Sequence, residues 1–376
     1  MVENSSSGLS LFDLLARNWR LDDAVVQTAF NHDETGAVFR VASGKLALAS
    51  TKDAESPKIR TRMELETGRT TIRPRENPVA PLKTPDLSVR KDLPVIRFGP
   101  QGFAAIDKNC ALQHVTAGGQ IVAKKTDITQ QVTSLCSTVT GDMIAIAQRD
   151  EITLIPVDDW SSPVKIHLDH EVTCQAFSQD GRTLAAWGAS TLSLISLRDL
   201  DATPRSIDCA GGVTEISWQK SGAHLACACS DESLCIVDVH GGTSQRVEGF
   251  PSPVRNAAFS ENGNALVASG AFRLVGWDAR DLPQDDAPGT PLTTGKPGFV
   301  VLNVIAAHPK RNIVATGYAS GLVTLASVGT PQDMMLHQER DTEVSSLYWS
   351  KTGEHLAIGF TSGEAAMVTF PSQMFK

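Results

Sequence analysis

The chain has 376 residues, 42 acidic against 34 basic for a net charge of −8, and is 41% hydrophobic with only 6% aromatic residues. An acidic surface of this kind makes a poor nucleic-acid binder. No apolar run reaches the roughly 18 residues of a membrane span, and residues 1–10 lack the basic and apolar stretches of a secretory signal. A cytoplasmic protein is expected.

Residues 1–10 read as a polar tail. Residues 11–20 put Leu11, Leu15 and Trp19 on one helical face, yet they read equally well as an outer strand, because ten residues do not separate the two periods. At Val25 a different pattern begins, with Phe30 five residues on and candidate inner strands at 37–41 and 46–49 around Ser43-Gly44.

The pattern is clearest in three copies. They are Val172-Thr-Cys-Gln-Ala-Phe177-Ser-Gln-Asp-Gly181, Val213-Thr-Glu-Ile-Ser-Trp218-Gln-Lys-Ser-Gly222 and Val254-Arg-Asn-Ala-Ala-Phe259-Ser-Glu-Asn-Gly263. Each has an apolar lead, an aromatic at plus five and a turn glycine at plus nine. Runs such as Leu225-Ala-Cys-Ala-Cys229 and Leu234-Cys-Ile-Val237 follow, two short strands around a polar tip. Unit starts fall at Val25, Leu93, Val132, Val172, Val213, Val254, Leu302 and Val344. A period near 40 with several strands per repeat marks propeller blades. The expected fold is an all-β propeller spanning 11–376 with eight blades; seven blades and one degenerate unit is the alternative. The last unit reaches its third strand near Ala365, so residues 9–23 are expected to supply a fourth and close the ring.

Two stretches break the rhythm. Residues 52–91 carry prolines at 57, 74, 78, 81 and 85 and ten Lys or Arg against six Asp or Glu. As an insertion between repeats, this segment is not required by the blade ladder. It reads either as a docking element for an acidic protein surface, with Arg69, Arg73 and Arg75 as contacts, or as an enlarged outer strand and loop. Residues 281–298 are turn formers without hydrophobic periodicity.

The units resemble WD40 repeats, whose pattern includes an aromatic-Ser-Pro-Asp-Gly turn and a closing Trp-Asp. Phe177-Ser-Gln-Asp-Gly181, Ala315-Thr-Gly-Tyr-Ala-Ser-Gly321 and Trp277-Asp278 carry the resemblance, which covers roughly residues 24–370. The layout is also similar to stand-alone WD40 proteins of alphaproteobacteria. Only one literal Trp-Asp is present, and the Gly-His position survives as Asp169-His170, so most of the family's buried His-Asp-Ser/Thr-Trp network is missing. The resemblance implies a non-catalytic platform for a protein partner.

Catalytic and cofactor motifs are absent. Gly289-Thr-Pro-Leu-Thr-Thr-Gly295-Lys296-Pro297 fails as a phosphate loop in glycine spacing and in the proline where Ser or Thr would hold magnesium. His167-Leu-Asp169-His170 could ligate a metal, but it coincides with the worn Gly-His position. Cys227, Cys229 and Cys235 occupy repeat positions that call for small core residues. The seven cysteines read as reduced thiols. His224 and His355 share one slot after the turn glycine, an equivalence that argues against a unique catalytic role. The candidate docking residues are therefore the polar tips Arg149, Asp150, Asp231, Glu232 and Arg273, together with the basic insertion. No cofactor is expected. A metal- or small-molecule-binding propeller with a sensory or enzymatic role is the other reading.

Overall fold

The computed structural model describes residues 9–63, 70–124, 128, 131–285, 287–338, 340–372 and 374–375. Eight antiparallel sheets follow one another along the chain, one per repeat unit, with strands ordered a, b, c, d. Strands a of neighbouring blades pack together, and strand a of blade 8 (Val344–Trp349) meets that of blade 1 (Val25–Phe30). The result is an eight-bladed propeller around a central channel.

Blades stack face to face, so strands b and c are covered on both sides and read as unbroken apolar runs. In His224–Cys229 every residue after the first is buried. The outer strand Ile121–Lys124 of blade 2, by contrast, is largely exposed. The aromatic at plus five ties neighbouring blades. The Trp218 indole N–H donates to Ala176 O at 3.0 Å, and Trp349 donates to Ala306 O at 3.0 Å. Each bond crosses to strand a of the preceding blade.

The plus-nine turn needs a left-handed residue, which glycine adopts without steric cost. Gly181 has φ 68° and Gly353 φ 75°. In blade 1 Glu34 takes that position at φ 56°, and in blade 6 the left-handed residue is Asn264, φ 45°, one place after Gly263.

Closure is made by strand Ala16–Arg20, which pairs antiparallel with Glu364–Thr369 from Ala16↔Val368 to Arg20↔Glu364. The alternative helical reading of residues 11–20 holds for its first half. Leu11–Leu15 is a helix with a capping box between Ser10 and Asp13, and it buries Phe12 and Leu15 in the core shared by blades 7 and 8. The helix stops where the chain must extend to join the sheet.

Both irregular stretches turn out to complete a blade. Blade 1 has three regular strands, and Lys83 exchanges backbone hydrogen bonds of 2.8 and 2.9 Å with Leu48 of its strand c. Blade 6 also has three, and Leu292 N donates to Gly276 O at 2.8 Å beside the bridge Trp277↔Pro291. The expectation that the ladder does not need residues 52–91 is thus corrected. A proline-rich segment can serve as an edge because an outermost strand leaves half its backbone groups facing solvent.

Candidate functional site

On one face of the ring, each b–c turn is tied to a connection between blades. Val172 N donates to Arg149 O at 2.7 Å, Ser230 N to Gly212 O at 2.9 Å, Gly270 N to Leu302 O at 2.9 Å and Arg340 N to Ser320 O at 2.8 Å. These bonds gather the polar tips into a rim around the channel mouth. Arg149, Asp150, Asp231, Glu232 and Arg273 all lie on it, while Arg73 and Arg75 lie on the insertion and Arg69 falls outside the described residues.

The rim residues differ in freedom. Arg149 and Asp150 line an open polar cleft of about 450 Å³ with Asp169, His170 and Glu171, from two adjacent blades. His170 itself is buried, its Nε2 2.9 Å from Ser193 Oγ. Gly188 is required beside it, because a Cβ there would lie 1.7 Å from Glu171 O. Asp231 is committed to the fold. It accepts from Ser233 Oγ at 2.6 Å and from Arg246 Nη2 at 2.9 Å, and these bonds hold its carboxyl below the ordinary range. Arg273 makes no hydrogen bond or ion pair among the described residues and is exposed.

Beside Arg273 stands a feature that sequence reasoning missed. Phe272 is 44% exposed and Phe299 is fully exposed. Their loops are joined by Gly298 N donating to Phe272 O at 3.1 Å. The signal was present: Phe272 occupies a b–c tip where other units carry Asp, Ser or Gly. Two exposed aromatics beside a free guanidinium match the composition enriched in protein-interface hot spots.

The channel also holds an unforeseen group. Strand a lines the channel, and there Val213–Trp218 presents Thr214 and Glu215 to solvent. Surrounding protein raises the Glu215 carboxyl to about 7 even though water reaches it. Among the described residues, no group of three or more His, Cys, Asp or Glu side chains could hold a metal. His167 lies 3.5 Å from Glu151 Oε2 on the outer edge of blade 3, away from His170. His224 and His355 each begin a strand b and are half-buried.

The basic insertion spends much of its charge internally. Arg60 is buried, donating to Leu14 O at 2.6 Å, to Glu55 O at 2.8 Å and to Arg73 O. Arg75 pairs with Asp53, whose Oδ2 is 3.8 Å from Arg17 Nε on the closing strand. Burial alone would raise the Asp53 carboxyl, but its bond to Arg75, the Glu55 amide and the two guanidinium charges hold it low. Lys58 pairs with Glu354 at 2.5 Å and Arg90 with Asp92. Arg73 is exposed, 3.5 Å from Glu76. No helix among the described residues is long and apolar enough to cross a membrane.

Comparison with known proteins fits this picture. A Poly(A)+ RNA export protein of Schizosaccharomyces pombe is 26% identical over 243 residues, 63% of each chain. The Retinoblastoma-binding protein 5 homolog of Drosophila melanogaster is 27% identical over 39% of this chain and 30% of its own. The Target of rapamycin complex subunit wat1 of S. pombe is 26% identical over 39% and 49%. The chain thus spans less than two thirds of the length of these relatives. No protein-family model matches it. Among solved structures, the computationally designed Ika8 protein superimposes with a TM-score of 0.62 at 15% identity, over 93% of this chain and 98% of that one, a likeness of fold alone. Repeat signature, blade topology and relatives together identify the chain as an eight-bladed β-propeller of WD40 type.

Proposed function

We propose that this is a non-catalytic, cytoplasmic scaffold that binds a protein partner on the b–c rim, with Phe272, Phe299 and Arg273 as the anchor. The carrying observation is the full exposure of Phe299 beside the half-exposed Phe272. Large aromatics left in water at a rigid rim lose nothing in backbone entropy on binding and gain apolar burial. Arg273 favours a partner segment that pairs an apolar side chain with a carboxylate. Two relatives support a partner by their names, one a complex subunit and one a binding-protein homolog. The net charge of −8 argues against direct nucleic-acid binding.

Phe272→Ala with Phe299→Ser should leave the melting temperature within about 2 °C, since neither side chain is in the core. It should reduce partner capture at least about tenfold, as loss of an aromatic hot spot does. Capture from lysate, quantified by mass spectrometry against the native protein, is the test. An unchanged set of captured proteins would exclude this rim as the docking face. Arg149→Glu on blade 3 and Glu232→Lys on blade 5, which adjoins blade 6 of the anchor, serve the same comparison elsewhere on the rim, and Arg73→Glu on the insertion.

A further inference from the structure

Five of the seven cysteines gather where blade 4 meets blade 5. Cys227 and Cys229 lie on strand b of blade 5, Cys235 on its strand c directly opposite Cys227, and Cys209 follows the outer strand of blade 4. All four are buried in one core, with Cys174 packed against it. Cys209 Sγ lies 3.0 Å from Cys235 Sγ. We propose that Cys209 and Cys235 form a modification site, a peroxide-driven disulfide that staples blade 4 to blade 5.

The geometry needs little change. The two sulfurs must approach by about 1 Å to reach bonding distance. Cys209 begins the connection Cys209-Ala-Gly-Gly212, and its two glycines cover the thiols with backbone alone: a Cβ on Gly211 would sit 3.0 Å from Cys229 Sγ. A water-sized oxidant therefore needs only local opening of a four-residue loop at the rim. In the reaction the Cys209 sulfur attacks one peroxide oxygen, the O–O bond breaks and water leaves, giving a sulfenic acid. The Cys235 sulfur then displaces that oxygen as a second water. Two thiols are oxidised and one peroxide is reduced, so the step balances. Hydrogen bonding among the neighbouring thiols, with burial behind it, raises both well above their ordinary values, so the reaction is slow and belongs to sustained oxidative exposure.

The staple also fixes rim geometry. Arg246 donates to Ala210 O at 3.0 Å and pairs with Asp231, so the connection it would clamp adjoins the Asp231-Glu232 tip. The test treats the full chain with hydrogen peroxide, blocks remaining thiols and maps peptides without reduction. The expected result is a linked peptide containing Cys209 and Cys235 and a melting temperature raised by about 3–6 °C, reversed by dithiothreitol. Cys209→Ser and Cys235→Ser should each lose both effects, while Cys110→Ser should keep them. The wild-type peptide map decides the matter even if a serine variant folds poorly. Recovery of all seven cysteines as blocked thiols, or linkage of another pair, overturns the proposal.

Discussion

His308 shows how one side chain can set a pH response. It is buried against the rings of Trp349 at 4.7 Å and Phe375 at 6.2 Å, and its Nδ1 accepts from Lys310 N at 3.0 Å. Burial lowers its pKa to about 4, and the neighbouring Arg311 and Lys310 charges act in the same direction. The unfolded chain takes up this proton near pH 6.5 and the folded chain only near 4, so stability is full above 6.5 and falls as the pH drops between them. The partly buried His355, also lowered to about 4, adds to the same window. The expected outcome is a melting temperature that declines from pH 6.5 to pH 4 and levels below. His308→Asn, which keeps an acceptor for Lys310 N, should make the decline shallower in a calorimetric series. An unchanged slope would assign the acid sensitivity elsewhere.

Among elements, the insertion between blades 1 and 2 was the least legible, and particular residues show why. Its length and basic surplus were plain in the sequence. What composition does not encode is pairing: Asp53, 22 positions before Arg75, sits between that residue and Arg17 of the closing strand. Asp53→Asn should destabilise by about 3 kcal/mol, the scale for leaving a buried charge without its partner. Arg75→Glu should be at least as damaging, while Arg73→Glu on the exposed side should stay within about 0.5 kcal/mol. Chemical denaturation of the three variants separates a structural brace from a docking surface. The 281–298 loop fails to announce its pairing for a related reason. An edge strand buries one side at most, so Thr290-Pro-Leu292 needs no hydrophobic alternation to bond to strand c.

For the whole molecule, the repeat lead, plus-five aromatic and plus-nine turn sufficed to place eight blades, because each position serves a contact repeated around the ring. Val172, Val213 and Val254 are all buried at equivalent positions, and Trp218 and Trp349 make equivalent bonds. The proposed docking anchor was not legible in this way, since it rests on departures from the repeat: Phe272 at a tip and Phe299 in a connection of irregular length. Channel-facing Glu215 was not singled out, because one acidic residue inside a repeat copy looks like any other polar position of strand a. Removing residues 9–23 should lower the melting temperature sharply, since it withdraws both the fourth strand of blade 8 and the buried Phe12 and Leu15. A thermal scan showing no loss would mean the ring holds without its clasp.

That clasp also sets the order of events during synthesis. The partners Arg17 and Met367 are 350 residues apart in the chain. At ordinary elongation speeds the first waits about 20–70 s for the second to be made. Blades 2 to 7 can each assemble from their own sequence as they emerge, as units of a repeat array do. Strand Ala16–Arg20 cannot, and throughout that interval it offers a bare edge to any other nascent chain. Its own charges Arg17 and Arg20, and the helix Leu11–Leu15 just ahead of it, stand where such a strand needs protection. Ribosomes paused late in this message would therefore accumulate the species most prone to strand exchange, an open ring whose missing piece is already made.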